Sequence, residues 1–133
     1  MIAYTTIGTN DLARAAAYYD TLLALIGGKR EMEQPGYFIA YGTGGHGAGL
    51  GVTVPFDKNA ATVGNGVMVA LEAKDRAQVD AVHAKALELG GTDEGAPGER
   101  FPGFYAGYFR DLDGNKLNIC HMTFDQSDHA PAA

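Results

Sequence analysis

Positive charge, cysteine and long apolar runs are all scarce in this sequence. Lys and Arg number 10 against 16 Asp and Glu, which gives a formal net charge of -6. The longest basic run is the pair Lys29-Arg30, whereas proteins that bind nucleic acid or anionic membranes present clustered positive charge. We therefore expect neither nucleic acid nor a membrane as a partner.

The low cysteine count and the absence of apolar runs also bear on location. Cys120 is the only cysteine, so no disulfide can form within the chain and a reducing compartment is favoured. No apolar run approaches the roughly 18 residues of a transmembrane helix, and the strand-like start at 2–8 does not resemble a secretory leader. We predict a cytoplasmic, soluble chain.

Residues 104–122 predict a β-hairpin. Two β-prone runs, 104–110 and 116–122, flank the turn residues Asp-Leu-Asp-Gly-Asn. A calcium loop is excluded, because it needs glycine at its sixth position and glutamate at its twelfth, and Met122 occupies the twelfth. Since side chains alternate across a strand, Asn118 and Cys120 share one face of the second run.

The first part of the chain predicts a strand followed by a helix. Residues 2–8 are β-prone, Asp11 offers a helix N-cap, and an apolar stripe at helical spacing stops at Gly27-Gly28. The same pattern returns 64 residues later, with a strand at 67–71 and a cap at Asp75. The matched pairs include Tyr4 and Met68, Ile7 and Leu71, Asp11 and Asp75, and Leu25 and Leu89.

The remaining segments predict further strands and loops. Strands are expected at 29–33, 37–41 and 50–54, and a Pro/Gly loop at 95–103. The segment 42–47 matches G-x-G-x-x-G, but a dinucleotide-binding motif must open a helix. Because a strand-like run follows this segment instead, a hairpin loop is favoured.

Together these elements predict an α+β fold of two tandem βαβββ modules, at about 1–60 and 61–123, in one domain. Helices would cover one face of each antiparallel-rich mixed sheet, and the opposite concave faces would form a cleft. The polar, alanine-rich segment 124–133 is expected to be a flexible tail.

The chain resembles the vicinal oxygen chelate superfamily of glyoxalases, extradiol dioxygenases and bleomycin resistance proteins over residues 1 to about 123. The strongest motif is Arg-Asp-Leu-Asp-Gly-Asn at 110–115, a turn that the family commonly writes D-P-D-G-N. Thr-Asn-Asp-Leu at 9–12 and Leu-Gly-Gly at 89–91 are also similar to family signatures. The resemblance implies the paired-module fold and a homodimer.

Enzymes of this family hold a divalent metal with His or Gln and Glu side chains from three strands. The resemblance places those slots at Tyr4, Met68 and Asn118. Thioether sulfur and a neutral amide are feeble ligands for such ions, so no metal or other cofactor is expected. For the four histidines, His46, His83, His121 and His129, surface or packing roles are favoured over a rebuilt metal site.

We predict that the cleft is an apolar, aromatic site for a small molecule. The predicted ligand-binding residues are Tyr4, Thr6, Met68, Phe104, Tyr108, Arg110, Asn118 and Cys120. A closed core built from these side chains is the alternative. Arg110 either binds a carboxylate or phosphate or only flanks the acidic turn. Cys120 is more consistent with a buried filler than with a nucleophile, because no activating base is apparent.

Three function classes follow from these residues. The leading hypothesis is a metal-independent binding protein for a small, partly hydrophobic molecule, as the resemblance to bleomycin resistance proteins implies. One alternative is a lyase or dioxygenase-like enzyme in which Tyr4 exchanges a proton and Asn118 polarises a carbonyl. The other is a structural or interaction domain with a closed cleft. Whether the chain is an enzyme stays open, and no catalytic residue is assigned.

Overall fold

Each half of the chain folds as one strand, one helix and three further strands. The computed structural model describes residues 1–45 and 47–123. The elements of the first module are β1 (Tyr4–Gly8), α1 (Leu12–Ala24), β2 (Lys29–Gln34), β3 (Phe38–Gly42) and β4 (Gly49–Thr53). Their sheet is ordered β1-β4-β3-β2, with β1 and β4 parallel and the other neighbours antiparallel.

The second module repeats this order. Its elements are β5 (Val69–Glu72), α2 (Arg76–Glu88), β6 (Thr92–Phe101), β7 (Phe104–Arg110) and β8 (Lys116–Met122). The sheet is ordered β5-β8-β7-β6, again with its first pair parallel. The predicted α+β fold of two tandem βαβββ modules and the predicted hairpin are therefore confirmed.

Both helices begin and end close to the predicted residues. Asp11 and Asp75 each accept a hydrogen bond from the backbone N–H three residues later, at 3.0 and 2.8 Å. At the other end, Gly27 and Gly90 adopt φ angles of +79° and +106°, the left-handed conformation that closes a helix and favours glycine. Within the described residues, no helix is long and apolar enough to cross a membrane.

The loop prediction for 95–103 is wrong, because most of this segment belongs to β6. The pairing of β6 with β7 shifts register three times, so the strand tolerates glycines and Pro97, which has no N–H to donate. These are features of an edge strand with bulges, and β6 lies at the edge of its sheet. The prediction of a loop came from the high Pro and Gly content of this segment, which is also typical of irregular edge strands.

The helices cover one face of each sheet, and the side chains between them form one core shared by both modules. Its fully buried members include Leu22, Val52, Val79, Val82, Phe109, Leu117 and Ile119. Because Leu117 and Ile119 point into this core, the alternating residues of β8 point to the face without helices. Each sheet therefore has one face in the core and one open face.

A buried carboxylate joins the two modules. The Tyr19 hydroxyl of α1 donates to Asp111 Oδ2 at 2.5 Å, and Asp111 Oδ1 accepts the N–H groups of Asp113 and Asn115 at 2.9 Å each. The Asn115 amide donates both to Asp111 Oδ2 at 3.0 Å and to the Gly8 carbonyl at 2.9 Å. The turn between β7 and β8 is thus bound to α1 and to the end of β1.

Replacing Tyr19 by Phe should lower the free energy of unfolding by about 1–3 kcal/mol, because a buried carboxylate loses one of its donors. Urea denaturation measures the loss. Tyr105→Phe is the matched control, since its hydroxyl donates to Asp80 at the exposed surface at 2.6 Å. An equal loss in the two variants would contradict the role given to the buried hydrogen bond.

Candidate functional site

The open face of the first sheet carries Tyr4 and Thr6. The strand register pairs Thr6 with Gly51 and Ile7 with Val52. Ile7 and Val52 are buried in the core, so the alternation of side chains directs Thr6 to the opposite face. Tyr4 lies two residues earlier on the same face, and 70 % of its surface is exposed.

A cavity of about 570 Å³ lies on this open face. Its aromatic wall consists of Tyr4, Tyr37 and Phe38, and the last two rings pack edge to face with centroids 5.7 Å apart. Small residues from β3 and β4 also line it, namely Ala40, Gly42, Gly49 and Gly51. Polar groups come from Thr6, Thr43, Thr53 and Glu31. A concave, mainly apolar space of this volume suits a small molecule.

The open face of the second sheet carries most of the other predicted residues. The register sets Phe104, Ala106 and Tyr108 opposite Met122, Cys120 and Asn118, respectively. These six side chains share one face, which includes the predicted pair Asn118 and Cys120. Asn118 and Cys120 are nevertheless only 1 % and 4 % exposed.

Both of these buried groups are engaged within the protein. The Asn118 amide donates to the Gly107 carbonyl at 3.2 Å, and the Cys120 thiol lies 3.6 Å from the Leu71 carbonyl. Burial raises the pKa of the Cys120 thiol, and the negative charge of Glu72 raises it further. A thiol that resists ionisation is a poor nucleophile, which favours the reading of Cys120 as a buried filler.

The two remaining predicted polar residues of this face, Tyr108 and Arg110, already have partners within the protein. Arg100 and Lys116 lie over the ring of Tyr108, at 5.3 and 5.6 Å from its centroid. Arg110 forms an ion pair with Glu94 and donates to the Gly114 carbonyl at 3.1 Å. These partners favour a structural role for Arg110 beside the acidic turn over binding of an external anion.

The predicted site residues do not all meet in one cavity. Tyr4 and Thr6 line the cavity of the first sheet, whereas Met68 and Arg110 line another of about 480 Å³ together with Lys116 and segment 63–67. Phe104, Tyr108, Asn118 and Cys120 line neither of these cavities.

Sequence reasoning did not identify the wall and floor contributed by β2 and β3. A signal was present in β3, where Phe38, Ala40 and Gly42 alternate with the core residues Ile39 and Tyr41. The small residues on one face of this strand mark the side on which the cavity opens. That side could have been chosen from the alternation alone.

The described histidines pack within the fold. His83 is buried, and its Nε2 lies 3.1 Å from Asp93 Oδ1 and 3.2 Å from the Tyr108 carbonyl. His121 Nδ1 lies 3.1 Å from the Ala73 carbonyl. The predictions for His46, His129 and the tail at 124–133 fall outside the described residues.

The three slots that the family uses for its metal do not fit one here. Tyr4 offers a phenol on the first sheet, Met68 a thioether, and Asn118 an amide that already bonds Gly107. Divalent ions require imidazole, thiolate or carboxylate donors in such sites. Over 1–45 and 47–123, no group of three or more His, Cys, Asp or Glu side chains is arranged to hold an ion.

Two βαβββ modules, each with one helix on a mixed sheet, define the architecture of the glyoxalase fold. A family model described as Glyoxalase/Bleomycin resistance protein/Dioxygenase superfamily matches residues 1–119. The chain belongs to this superfamily. Among curated proteins, none matches it.

Solved structures agree with this assignment. A glyoxalase/bleomycin resistance protein from Albidiferax ferrireducens is 34 % identical, with a TM-score of 0.83 over 91 % of this chain and 98 % of the other. A lactoylglutathione lyase from Agrobacterium tumefaciens is 24 % identical, with a TM-score of 0.65 over 90 % and 92 % of the two chains. An antibiotic binding protein from Streptomyces is 20 % identical, with a TM-score of 0.65 over 92 % and 96 %.

Metal analysis of the purified protein should find less than one equivalent of divalent ion per chain, because the three slots lack suitable donors. A chelator should leave the melting temperature unchanged. Met68→His should not create tight zinc or nickel binding, since a single imidazole lacks partner ligands at Tyr4 and Asn118. Stoichiometric zinc, nickel or iron in the wild-type protein would refute this interpretation.

Proposed function

We propose that this chain is a metal-independent protein that binds a small, partly hydrophobic molecule. The cavity on the open face of the first sheet is the main support, because it combines aromatic walls with few polar groups. The lack of a fitting donor set at Tyr4, Met68 and Asn118 supports binding without a metal. The open cavity also argues against the alternative of a domain with a closed cleft.

The structural neighbours are compatible with either binding or catalysis. One is named as an antibiotic binding protein and another as a lactoylglutathione lyase, and at their low identity both likenesses concern the fold alone. For catalysis, Asn118 would have to polarise a carbonyl, but its amide is buried and donates to Gly107. Tyr4 lies on the other sheet. Binding is therefore the function that the geometry supports best.

The binding proposal predicts that a metabolite library contains a compound that raises the melting temperature. A ligand at about 100 times its Kd stabilises a protein by about 2.7 kcal/mol. Ala40→Leu should abolish the shift because it fills the cavity from β3. Ala84→Leu adds the same side chain to an exposed position of α2 and should preserve it.

Differential scanning fluorimetry of the three proteins makes the comparison, and urea unfolding checks that both variants fold. A stabilising compound that shifts the Ala40→Leu variant as much as wild type would place the binding site elsewhere. Failure of every compound to shift the wild-type protein would favour a structural or interaction role.

We also propose that the chain forms a homodimer and works in the cytoplasm. The support for a dimer is exposed apolar surface at two sheet edges. Ile2, just before β1, and Tyr4 in β1 are 57 % and 70 % exposed, and Val67 and Met68, just before β5, are 61 % and 42 % exposed. A single, buried, unpaired cysteine is compatible with a reducing compartment.

Light scattering after gel filtration should give twice the monomer mass for the wild-type protein. Val67→Glu should shift the equilibrium toward the monomer, because a charge would enter an apolar contact. Ala84→Glu introduces the same charge on the exposed face of α2 and should leave the dimer intact. A monomeric wild-type protein at high concentration would end the dimer proposal.

A further inference from the structure

One irregularity in β2 alters the chemistry of the cavity. Arg30 pairs with Tyr41 and Met32 pairs with Ala40, so Glu31 is an extra residue between two consecutive pairs. Such a β-bulge bends a strand and redirects a side chain, and bulges are common beside functional sites. Here the bulge adds Glu31 to the residues that line the cavity.

The glycine opposite the bulge makes space for this carboxylate. A Cβ atom added to Gly42 would collide with the carboxylate of Glu31, so the acidic side chain lies against the backbone of β3. Any larger residue at position 42 would displace it. The position of the Glu31 side chain therefore depends on the absence of a side chain at Gly42, and this contact lies on the open face, away from the core.

The charge of Glu31 is unpaired in the part of the chain that the structure describes. Across 1–45 and 47–123, neither an ion pair nor a hydrogen bond engages its side chain. Glu33, two residues along the same strand, forms an ion pair with Arg30 at 2.7 Å. The cation beside the aromatic wall, Lys58, lies over the Tyr37 ring at 4.7 Å from its centroid.

The shape of the cavity, like the charge of Glu31, restricts which ligands fit. Ala40, Gly42, Gly49 and Gly51 provide a floor with little side-chain bulk, and aromatic residues that include Tyr4, Tyr37 and Phe38 line the same space. Planar rings pack favourably against aromatic side chains. A cation gains further attraction from the face of a tyrosine ring such as that of Tyr4, whereas Lys58 already lies over the Tyr37 ring. The cavity therefore presents a low floor, aromatic walls and one negative charge.

We infer that this cavity takes a planar aromatic molecule bearing a positive charge, and that Glu31 selects the charge. The inference rests on the proposed binding function and narrows it to a ligand class. Glu31 is a specificity-determining residue, and the apolar contacts supply the larger part of the affinity. Because Glu31 is exposed, its contribution is modest and decreases as salt is added.

Fluorescence titration with three probes of similar shape tests the charge preference. The probes are proflavine, a planar cation; acridine, its neutral parent at mildly alkaline pH; and naphthalene sulfonate, a planar anion. At low salt we expect wild-type protein to bind proflavine up to about fivefold more tightly than acridine, and naphthalene sulfonate most weakly. Added salt should reduce the preference.

Two matched variants assign the preference to one residue. Glu31→Gln should weaken proflavine binding to the level of acridine and leave acridine binding unchanged. Glu33→Gln makes the same change in net charge on the same strand, but its carboxylate is engaged by Arg30, so the preference should persist. Equal effects of the two substitutions, or no preference in the wild-type protein, would overturn the inference.

A cavity-filling variant separates failure of the inference from failure of the proposed function. If wild-type protein binds all three probes alike and Ala40→Leu abolishes that binding, the cavity is a binding site but Glu31 does not select a cation. If no probe binds the wild-type protein, the inferred ligand class is wrong, and the metabolite screen decides the binding function independently.

Discussion

A single buried carboxylate, Asp111, binds the two modules to each other at the edge of their shared core. Asp111 is 5 % exposed, and burying a charge is costly unless hydrogen bonds satisfy it. Its two oxygens accept from the Tyr19 hydroxyl, the Asn115 amide and the N–H groups of Asp113 and Asn115. These donors come from a helix of one module and a turn of the other. Satisfying the charge therefore fixes both the turn and the junction, while the open faces of the sheets remain free.

Local chemistry made much of this fold predictable. Capping by Asp11 and Asp75 and the two helix-closing glycine pairs depend on neighbouring residues, and the repeat at a constant offset linked the two units. The loop prediction for 95–103 was wrong because edge strands tolerate the same residues as loops. Only the pairing with β7 distinguishes a strand from a loop here. Alternation correctly assigned Asn118 and Cys120 to one face. It could not determine how the faces of different sheets are positioned, so four of the predicted site residues are divided between two cavities and the other four line neither.

Membership of the superfamily determines the fold of this chain but not the reaction or ligand of its site. Fold alone does not determine function, and the residues in the metal slots carry phenol, thioether and amide groups. The amide of Asn118 also donates to the Gly107 carbonyl, so it satisfies a backbone acceptor of the neighbouring strand. Because that part of the second sheet is buried, the groups that a ligand can reach lie on the first sheet, where side chains on β2 and β3 line an open cavity.

The composition of that cavity is difficult to attribute to stability. Glycine within a strand costs conformational entropy and contributes no packing, yet Gly42, Gly49 and Gly51 all lie on β3 or β4. Steric contact explains part of this: a Cβ on Gly51 would approach Thr6 to 3.0 Å, and one on Gly49 would approach the Tyr41 carbonyl to 3.1 Å. At Gly42 the atom in the way is the Glu31 carboxylate, a flexible group that solvent could accommodate elsewhere. The core lies on the other face of the sheet, so core packing does not require the acid to lie over the glycine, whereas a ligand in the cavity would contact both residues.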